Sequence, residues 1–349
     1  MKRSLLLIAA ALLTLAFLTA CGSDEPSQGG PIQVKPEAER NIWILTQEGE
    51  IYDQTGAKVK TLPDCDYASQ IIPFGTDYYV TGRNLDYKSN GFGYWKNGEW
   101  VTVLDYEEPY AVTTSQLICK QYNDIYLLAA KSEPTGNYGW YIYKNGKPTR
   151  QDDCNRSHSE YMDMSVSGNN TYLVGYEYDD DDFLSTPLLW INGKKESLPI
   201  GDAIGARPSC VCASGSTRNI VGGCVMNVNN GLGKPALWID HQLTILKTSS
   251  DTRWGQVYDV LESNGHIYAL GYENEKATLW IDNKPEVYHH NSFENETSSS
   301  YGVQMQLYGS DLYVLTNESY TDVYYHIWMN GQHKNSVRVP GNVVGFAVF

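Results

Sequence analysis

The segment Leu189-Trp190-Ile191-Asn192-Gly193 joins a short apolar run to an Asn-Gly pair. Both residues of such a pair tolerate positive φ, so the pattern predicts a two-residue hairpin turn between two strands. Related segments are centred on Trp95, Tyr143, Trp238, Trp280 and Trp328. Along the chain, the six aromatic residues follow one another at intervals of 48, 47, 48, 42 and 48. A repeat of this length is typical of the four-stranded blade of a β-propeller.

Each repeat has a second landmark before the Asn-Gly pair. Strings such as Tyr172-Leu173-Val174-Gly175 follow a polar turn, here Gly168-Asn169-Asn170, and another apolar segment precedes that turn. Each unit is therefore predicted to contain four antiparallel strands, A to D, with short A–B and C–D turns. Because no segment keeps a 3.6-residue apolar period, we expect almost no helix.

The two ends of the chain contain complementary parts of one further repeat. Residues 41–48 align with residues 311–318 and are followed by a strand C pattern over residues 51–56, whereas residues 342–349 resemble a lone strand A. Pairing the two ends would complete a blade and remove the sheet edges at the seam. The sequence thus predicts an all-β fold, a seven-bladed β-propeller of four-stranded antiparallel blades, with the last blade shared between the termini. An open solenoid or a pair of β-sandwiches is the alternative.

Residues 1–20 have the pattern of a secretory signal peptide, because two basic residues precede an apolar run that is short for a membrane span. The sequence Leu18-Thr19-Ala20-Cys21 resembles the lipobox of bacterial lipoproteins. This resemblance implies cleavage before Cys21 and attachment of lipid to Cys21, which would anchor the chain in a membrane. An ordinary signal peptide with a chance cysteine is the alternative.

Residues 21–40 are rich in Pro and Gly, which predicts a flexible lipidated tether before a propeller domain over residues 41–349. Ser23-Asp24-Glu25 resembles the acidic signal of surface-exposed Bacteroidetes lipoproteins. The repeats, with strings such as Tyr94-Trp95-Lys96-Asn97-Gly98, resemble those of uncharacterised Bacteroidetes-type lipoproteins over residues 41–349. The resemblance implies a propeller anchored in the outer membrane, facing outward or toward the periplasm, and implies no defined activity.

The chain is acidic, with a formal net charge of −15, and cleavage of the signal would remove two cations and leave −17. A domain of this charge without a basic stripe repels nucleic acid, so we expect no nucleic-acid partner. We expect a monomer whose membrane contact is made through its lipid.

Six cysteines follow Cys21, and an even number in an oxidising compartment permits disulfides without selecting one pairing. They are Cys65, Cys119, Cys154, Cys210, Cys212 and Cys224. Two of them, Cys210 and Cys212, are expected to share one face of a strand, where they cannot easily bridge each other. Cys119, Cys210 and Cys212 are predicted to be buried free thiols.

The loops between strands D and A and between strands B and C share one face of a propeller, and here they are the longer ones. Aromatic residues recur near the start of strand A on that face, with polar residues close by in sequence. The candidate ligand-binding residues are Tyr67, Tyr161, Trp254, Tyr301, Arg253, Gln70 and Gln304. Their rings could stack on the apolar faces of sugars. Packing between neighbouring blades is the alternative role.

Glutamates recur just after strand B, at Glu48, Glu177, Glu273 and Glu318, and Asp179–Asp182 extends one of these loops. Clustered carboxylates are Ca²⁺ ligands, so these four are the metal candidates. A solvated surface or contact with a basic partner protein is the alternative. We assign no cofactor.

Catalytic signatures such as a Gly-x-Ser-x-Gly elbow, His-Glu-x-x-His or a phosphate loop are absent from the sequence. The seven histidines fall at unrelated repeat positions, although His289-His290 lies in a D–A connection that could reach the mouth of the ring. We therefore expect a non-enzymatic binding or scaffold lipoprotein that presents its loop face to a glycan or an envelope protein. A polysaccharide-active hydrolase or lyase with carboxylates in an axial pocket is the main alternative, and a structural spacer is a third.

Overall fold

The regular structure of the protein, seen in a computed structural model, is almost entirely β-strand. The structure describes residues 40–106, 115–132, 138–150, 159–178, 185–215, 218–226, 233–249, 254–290, 298–319 and 322–349. The lipidation candidate Cys21, the loop residues Asp179–Asp182, and Cys154 and Arg253 lie outside these ranges. Within them, the one helix is the single turn α1 (Tyr87–Asn90). No helix there is both long enough and apolar enough to cross a membrane.

The strands form seven four-stranded antiparallel sheets, the blades of a β-propeller. Blade 1 contains β1 (Ile42–Thr46), β2 (Glu50–Asp53), β3 (Lys58–Thr61) and β28 (Val343–Val348). Blade 2 contains β4 (Cys65–Phe74), β5 (Asp77–Asn84), β6 (Phe92–Lys96) and β7 (Glu99–Leu104). Blade 3 contains β8 (Ser115–Gln121), β9 (Asp124–Ser132), β10 (Tyr138–Lys144) and β11 (Lys147–Arg150). Blade 4 contains β12 (Ser159–Ser167), β13 (Asn170–Tyr178), β14 (Ser185–Ile191) and β15 (Lys194–Ser197).

The remaining three blades follow the same order of strands from A to D. Blade 5 contains β16 (Gly205–Ser214), β17 (Arg218–Met226), β18 (Gly233–Ile239) and β19 (Gln242–Ile245). Blade 6 contains β20 (Gly255–Ser263), β21 (His266–Glu273), β22 (Lys276–Ile281) and β23 (Lys284–Val287). Blade 7 contains β24 (Ser299–Tyr308), β25 (Asp311–Ser319), β26 (Val323–Met329) and β27 (Gln332–Val337).

The termini share blade 1, as the sequence predicts. Strand β28 is hydrogen-bonded to β1, with Ile44 opposite Phe346, so that the sheet order is β28-β1-β2-β3. The Phe346 side chain is fully buried in an apolar cluster between blades 7 and 1. A corresponding cluster lies between every other pair of neighbouring blades. The core is therefore a ring of inter-blade contacts.

The predicted C–D hairpin turns are present, and their asparagines do more than accept positive φ. Asn97 and Gly98 have φ of 53° and 82°, and the equivalent pairs in blades 3 to 7 also have positive φ at both positions. The Asn97 side-chain oxygen accepts a hydrogen bond from the backbone N–H of Tyr78 (2.9 Å), which ties the turn to strand B of the same blade. The same bond recurs at Asn145, Asn192, Asp240, Asp282 and Asn330. An Asn or Asp is thus required by both the turn and the neighbouring strand.

Side-chain oxygens cover backbone groups at the axis, where strand A of each blade has an unpaired edge. Gln70 Oε1 accepts a hydrogen bond from the N–H of Ile118 in the next blade (2.8 Å). Gln304 Oε1 does the same for Phe346 (2.8 Å). At the same repeat position, the carboxylates of blades 4 and 6 accept hydrogen bonds from the next blade. These bonds satisfy N–H groups that would otherwise lack a partner at a sheet edge.

The five cysteines within the described residues are free thiols: Cys65, Cys119, Cys210, Cys212 and Cys224. Cys119, Cys210 and Cys212 are free as expected, but of these three only Cys210 is buried, and the other two are partly exposed. Cys119 Sγ donates a hydrogen bond to the carbonyl of Met164 in the next blade (2.6 Å). Strand β8 of blade 3 is thus joined to blade 4 by a thiol hydrogen bond.

Candidate functional site

Four aromatic side chains from blades 6 and 7 form a continuous surface, which we call the aromatic cluster: Trp254, Tyr258, Tyr272 and Tyr301. Tyr272 lies at its centre, and its ring centroid is 5.2 Å from Trp254, 5.6 Å from Tyr258 and 4.9 Å from Tyr301. Tyr272 is buried, whereas the other three are partly exposed, with Tyr258 38% exposed. The cluster therefore presents three ring surfaces to solvent on a buried support.

The local backbone explains how these rings come together. Tyr258 occupies a β-bulge in β20, where the register with β21 shifts between Val257 and Asp259. A bulge redirects the side chain that occupies it. Opposite the bulge, a Cβ on Gly271 would lie 1.9 Å from the carbonyl oxygen of Gln256, so only glycine fits there. This close approach explains why a glycine ends the Tyr-apolar-apolar-Gly string. Tyr272 follows that glycine and therefore lies beside Tyr258.

Two tyrosines of the aromatic cluster, Tyr258 and Tyr272, are neutral hydrogen-bonding groups. Burial raises the pKa of both Tyr258 and Tyr272, and the two hydroxyl groups are hydrogen-bonded to each other. Burial also raises the pKa of the neighbouring Cys224 thiol to about 11, an effect that the backbone of Arg207 and its guanidinium partly offset. Arg207 is exposed on blade 5. Its guanidinium lies over the ring of Tyr176 in blade 4, 5.9 Å from the ring centroid.

The structure places the other predicted binding residues elsewhere. The Tyr161 ring lies 4.8 Å from both Trp140 and Trp190 and is buried between blades 3 and 4, as the packing alternative proposed. Tyr67 lies in blade 2 and is 37% exposed. Gln70 and Gln304 bond the backbone of the next blade. Of the four predicted aromatic residues, Trp254 and Tyr301 are brought together, on either side of Tyr272.

The four predicted glutamates lie in four different blades and have different partners. Glu48 is exposed in blade 1, and Glu177 forms an ion pair with Lys195 in blade 4 (3.1 Å). Glu273 is buried and accepts hydrogen bonds from the backbone N–H and the hydroxyl of Ser249. Glu318 is fully buried in blade 7. These residues do not gather into one carboxylate site.

Three histidines do gather, in blade 7 and the connection that precedes it. The ligand nitrogens of His290, His326 and His333 lie within 4.8 Å of one another. Among the described residues, this is the group of His, Cys, Asp and Glu side chains close enough to hold a metal ion. Sequence spacing could not reveal this histidine cluster, because its members come from a D–A connection, strand C and strand D.

Two partly buried carboxylates lie near the axis, on Asp163 in blade 4 and Asp259 in blade 6. Burial raises the pKa of each to about 7, although both accept backbone hydrogen bonds that oppose this effect. Asp163 Oδ2 is 2.8 Å from the N–H of Val211, and Asp259 Oδ2 is 2.6 Å from that of Met305. Gln70 and Gln304 make the same inter-blade bond, so an acceptor oxygen is sufficient for this structural role.

No protein-family model matches the chain, and no curated protein matches it. Among solved structures, the chain is similar to one in a nidogen–laminin complex, with 8% identity and a TM-score of 0.45, over 88% of this chain and 98% of that one. It is also similar to an acylaminoacyl peptidase of Pyrococcus horikoshii, with 11% identity and a TM-score of 0.45, over 84% of this chain and 47% of that one.

A further similar structure is dipeptidyl peptidase 4 of Porphyromonas gingivalis, with 8% identity and a TM-score of 0.38, over 90% of this chain and 62% of that one. The chain therefore spans less than two thirds of the length of either peptidase. At such identities, these comparisons assign no activity to the chain.

Proposed function

We propose that the chain is a non-enzymatic, glycan-binding lipoprotein of the bacterial envelope and that the aromatic cluster is its binding surface. The observation that carries the proposal is the arrangement of Trp254, Tyr258 and Tyr301 around the buried Tyr272. Rings of this kind bind sugars because each pyranose has an apolar face, which stacks on an aromatic face. Rings held by a buried neighbour also lose little conformational freedom on binding.

Polar groups next to the rings would supply specificity. A tyrosine hydroxyl both donates and accepts hydrogen bonds, so Tyr258 and Tyr272 could bind sugar hydroxyl groups of either orientation. The strong negative charge of the chain disfavours polyanionic polysaccharides. A neutral or amino-sugar glycan is therefore the ligand class that fits best.

The lipid anchor at Cys21, the outer-membrane location and the monomeric state are part of the same proposal. They are supported by the lipobox-like Leu18-Thr19-Ala20-Cys21 and by the Pro- and Gly-rich segment that follows it. A lipid-anchored domain on a tether would present its loop face to glycans near the membrane. An envelope protein is the other partner that this placement would allow.

Polysaccharide hydrolysis is the second candidate function, and the raised pKa values of Asp163 and Asp259 favour it. A glycoside hydrolase needs one carboxyl group that is protonated near neutral pH and a second that is ionised. The backbone hydrogen bonds that these carboxylates accept, and their replacement by Gln70 and Gln304 in other blades, favour the structural role instead.

A glycan-array screen of the full chain, followed by titration of the best neutral glycan, tests both candidates. Tyr301→Ala and Trp254→Ala should each weaken binding about tenfold, because a stacked ring contributes on the order of 1–2 kcal/mol. Tyr67→Ala is the matched control, since Tyr67 is an exposed aromatic residue near the start of strand A in blade 2, and it should bind as the unmodified chain does. Turnover of the glycan that is lost in Asp163→Asn would instead establish the hydrolase.

A further inference from the structure

We propose that His290, His326 and His333 bind a divalent transition-metal ion, with Zn²⁺ as the preferred ion, and that the ion fastens the D–A connection before blade 7 to strands C and D of that blade. His290 belongs to the connection, His326 to β26 and His333 to β27. The proposal is independent of glycan binding, because none of these residues belongs to the aromatic cluster.

The first argument is convergence of the imidazole nitrogens. His326 Nδ1 lies 2.9 Å from Ser336 Oγ, and His333 Nε2 lies 3.0 Å from the same oxygen. Two histidine nitrogens therefore meet at one hydroxyl oxygen, and an ion bound between them would replace these two hydrogen bonds. Zn²⁺ is bound by histidine nitrogens at about 2.0–2.1 Å and takes four ligands, so three histidines and one oxygen are a suitable set.

The second argument is the residue that orients His326. Glu318 Oε2 lies 3.1 Å from His326 Nε2, and both side chains are buried. The Ser298 hydroxyl donates a hydrogen bond to the other carboxylate oxygen (2.6 Å). Metal-bound histidines commonly donate their second ring N–H to a carboxylate, which fixes the tautomer and the ring orientation. Here that contact leaves His326 Nδ1 as the ligand atom.

The third argument is protonation. Burial lowers the pKa of His326 to about 4, and the neighbouring imidazoles of His290 and His333 act in the same direction, against the raising effect of Glu318. Burial and His290 also lower the pKa of His333. Both imidazoles are therefore neutral at pH 7, which is the form that binds a metal.

The fourth argument comes from the repeat. His326 lies two residues before the tryptophan of strand C, and Thr278 holds that position in blade 6. His333 is opposite that tryptophan in strand D, where blade 6 has Pro285. His290 likewise corresponds to Thr248 in the preceding connection. The fold thus does not require a histidine at any of the three positions, yet blade 7 has all three.

His290 supplies both the exposed ligand and the route of entry. Its ring now stacks on His333, with centroids 3.8 Å apart, and its side chain is exposed. Coordination requires His290 to leave this stack by a rotamer change, which an exposed side chain makes readily. The ion would then replace the stacking contact by a bond that holds the connection in place.

The test uses the full chain without a histidine tag. We expect one Zn²⁺ per chain after dialysis, a visible Co²⁺ spectrum of tetrahedral type, and quenching of tryptophan fluorescence by Cu²⁺, because the Trp328 ring lies 5.1 Å from His333. Zn²⁺ should also raise the melting temperature, since an ion bound only by the folded chain stabilises it.

His290→Ala is the decisive variant, because an exposed side chain can be removed without disturbing the fold, and it should weaken Zn²⁺ binding by about tenfold or more. His333→Ala should do the same. His266→Ala is the matched control, because His266 is an exposed histidine of blade 6 paired with Asp282, and it should bind Zn²⁺ normally. Substoichiometric binding by the unmodified chain, or unchanged affinity in a folded double variant of His290 and His333, would overturn the proposal.

Discussion

Blade 6 and blade 7 both have a buried glutamate at the end of strand B and a tryptophan in strand C, but the two pairs have different partners. Glu273 accepts hydrogen bonds from Ser249, whereas Glu318 faces His326 and Ser298. In both blades the glutamate holds the incoming D–A connection. The repeat therefore specifies the backbone and the glutamate acceptor in both blades. The side chains of the D–A connection determine which groups bond to that glutamate.

The tryptophans show the same contrast. Trp280 Nε1 donates a hydrogen bond to the carbonyl of Lys247 in the preceding connection (2.6 Å), as the indoles of Trp95 and Trp238 do in their own blades. Trp328 Nε1 instead bonds Thr316 Oγ1 within its own blade (3.0 Å). The connection before blade 7 thus has no such bond to the indole, and it carries the exposed histidine of the histidine cluster.

Removal of the two glutamates should show the largest difference between the blades. Glu318→Ala should lower the free energy of unfolding by about 3 kcal/mol, because it leaves His326 and Ser298 without their acceptor in a buried site. Glu273→Ala should cost about 1–2 kcal/mol, because its partner Ser249 is neutral and exposed, so water can replace the lost acceptor. Urea unfolding with a chelator present measures both losses without a contribution from bound metal.

Glu318→Gln is the control for the first prediction, since an amide oxygen still accepts one hydrogen bond. It should recover part of the lost stability. Equal losses for Glu318→Ala and Glu273→Ala would show that the histidines add nothing to the role of the glutamate.

Blades 6 and 7 also differ at the strand A position whose side chain bonds the next blade. Blade 6 has the titratable Asp259 there, whereas blade 7 has the neutral Gln304. The folded-state pKa of Asp259, about 7, lies above its unfolded value. Between about pH 4 and pH 7, Asp259 therefore binds more protons in the folded chain than in the unfolded chain, so its contribution to the free energy of unfolding falls as pH rises. Asp259→Gln should remove this contribution and leave that of Asp163 in place.

The change in the free energy of unfolding from pH 5 to pH 8 is measured for the unmodified chain and for Asp259→Gln. The two changes should differ by about 1–2 kcal/mol. The near-isosteric change Gln304→Glu is the reciprocal test, since it places a titratable acceptor in blade 7 and should steepen the pH dependence. A slope that Asp259→Gln leaves unchanged would mean that Asp259 is ionised in the folded chain at pH 5.

The tryptophans should give the smallest difference. Trp280→Phe leaves the Lys247 carbonyl without its indole donor, whereas the Thr316 hydroxyl can rotate to another partner after Trp328→Phe. We expect Trp280→Phe to cost about 1 kcal/mol more than Trp328→Phe, by thermal or urea unfolding. A larger loss of unfolding free energy for Trp328→Phe would contradict this prediction. It would show that packing of the Trp328 indole stabilises blade 7 more than the hydrogen bond of Trp280 stabilises blade 6.

Much of the fold could be predicted from the sequence because it depends on local chemistry repeated along the chain. The Asn-Gly pair at Asn97 and Gly98 specifies its own turn geometry, and residues 342–349 carry the apolar pattern of strand A without a partner next to them in sequence. The repeated turns gave the number of blades, and the unpaired strand A pattern at the end of the chain gave the blade shared between the termini.

The candidate site was predicted only in part, because its geometry depends on neighbouring blades. Tyr161 and Tyr301 both lie near the start of strand A, yet Trp140 and Trp190 enclose the first and Tyr272 supports the second. Nothing in the local sequence marks this difference. Tyr258 was missed for a related reason, since the bulge that redirects it depends on the register between β20 and β21.

The pairing of β1 with β28 also constrains the order in which the protein can fold. The first strand to be synthesised receives its inner neighbour only after the last residues of the domain have been added, because these two strands lie at opposite ends of the domain sequence. Until then, β1 has an open hydrogen-bonding edge that invites pairing with another chain. Protection of this edge during folding would therefore matter more for the yield of native protein than the stability of any single blade.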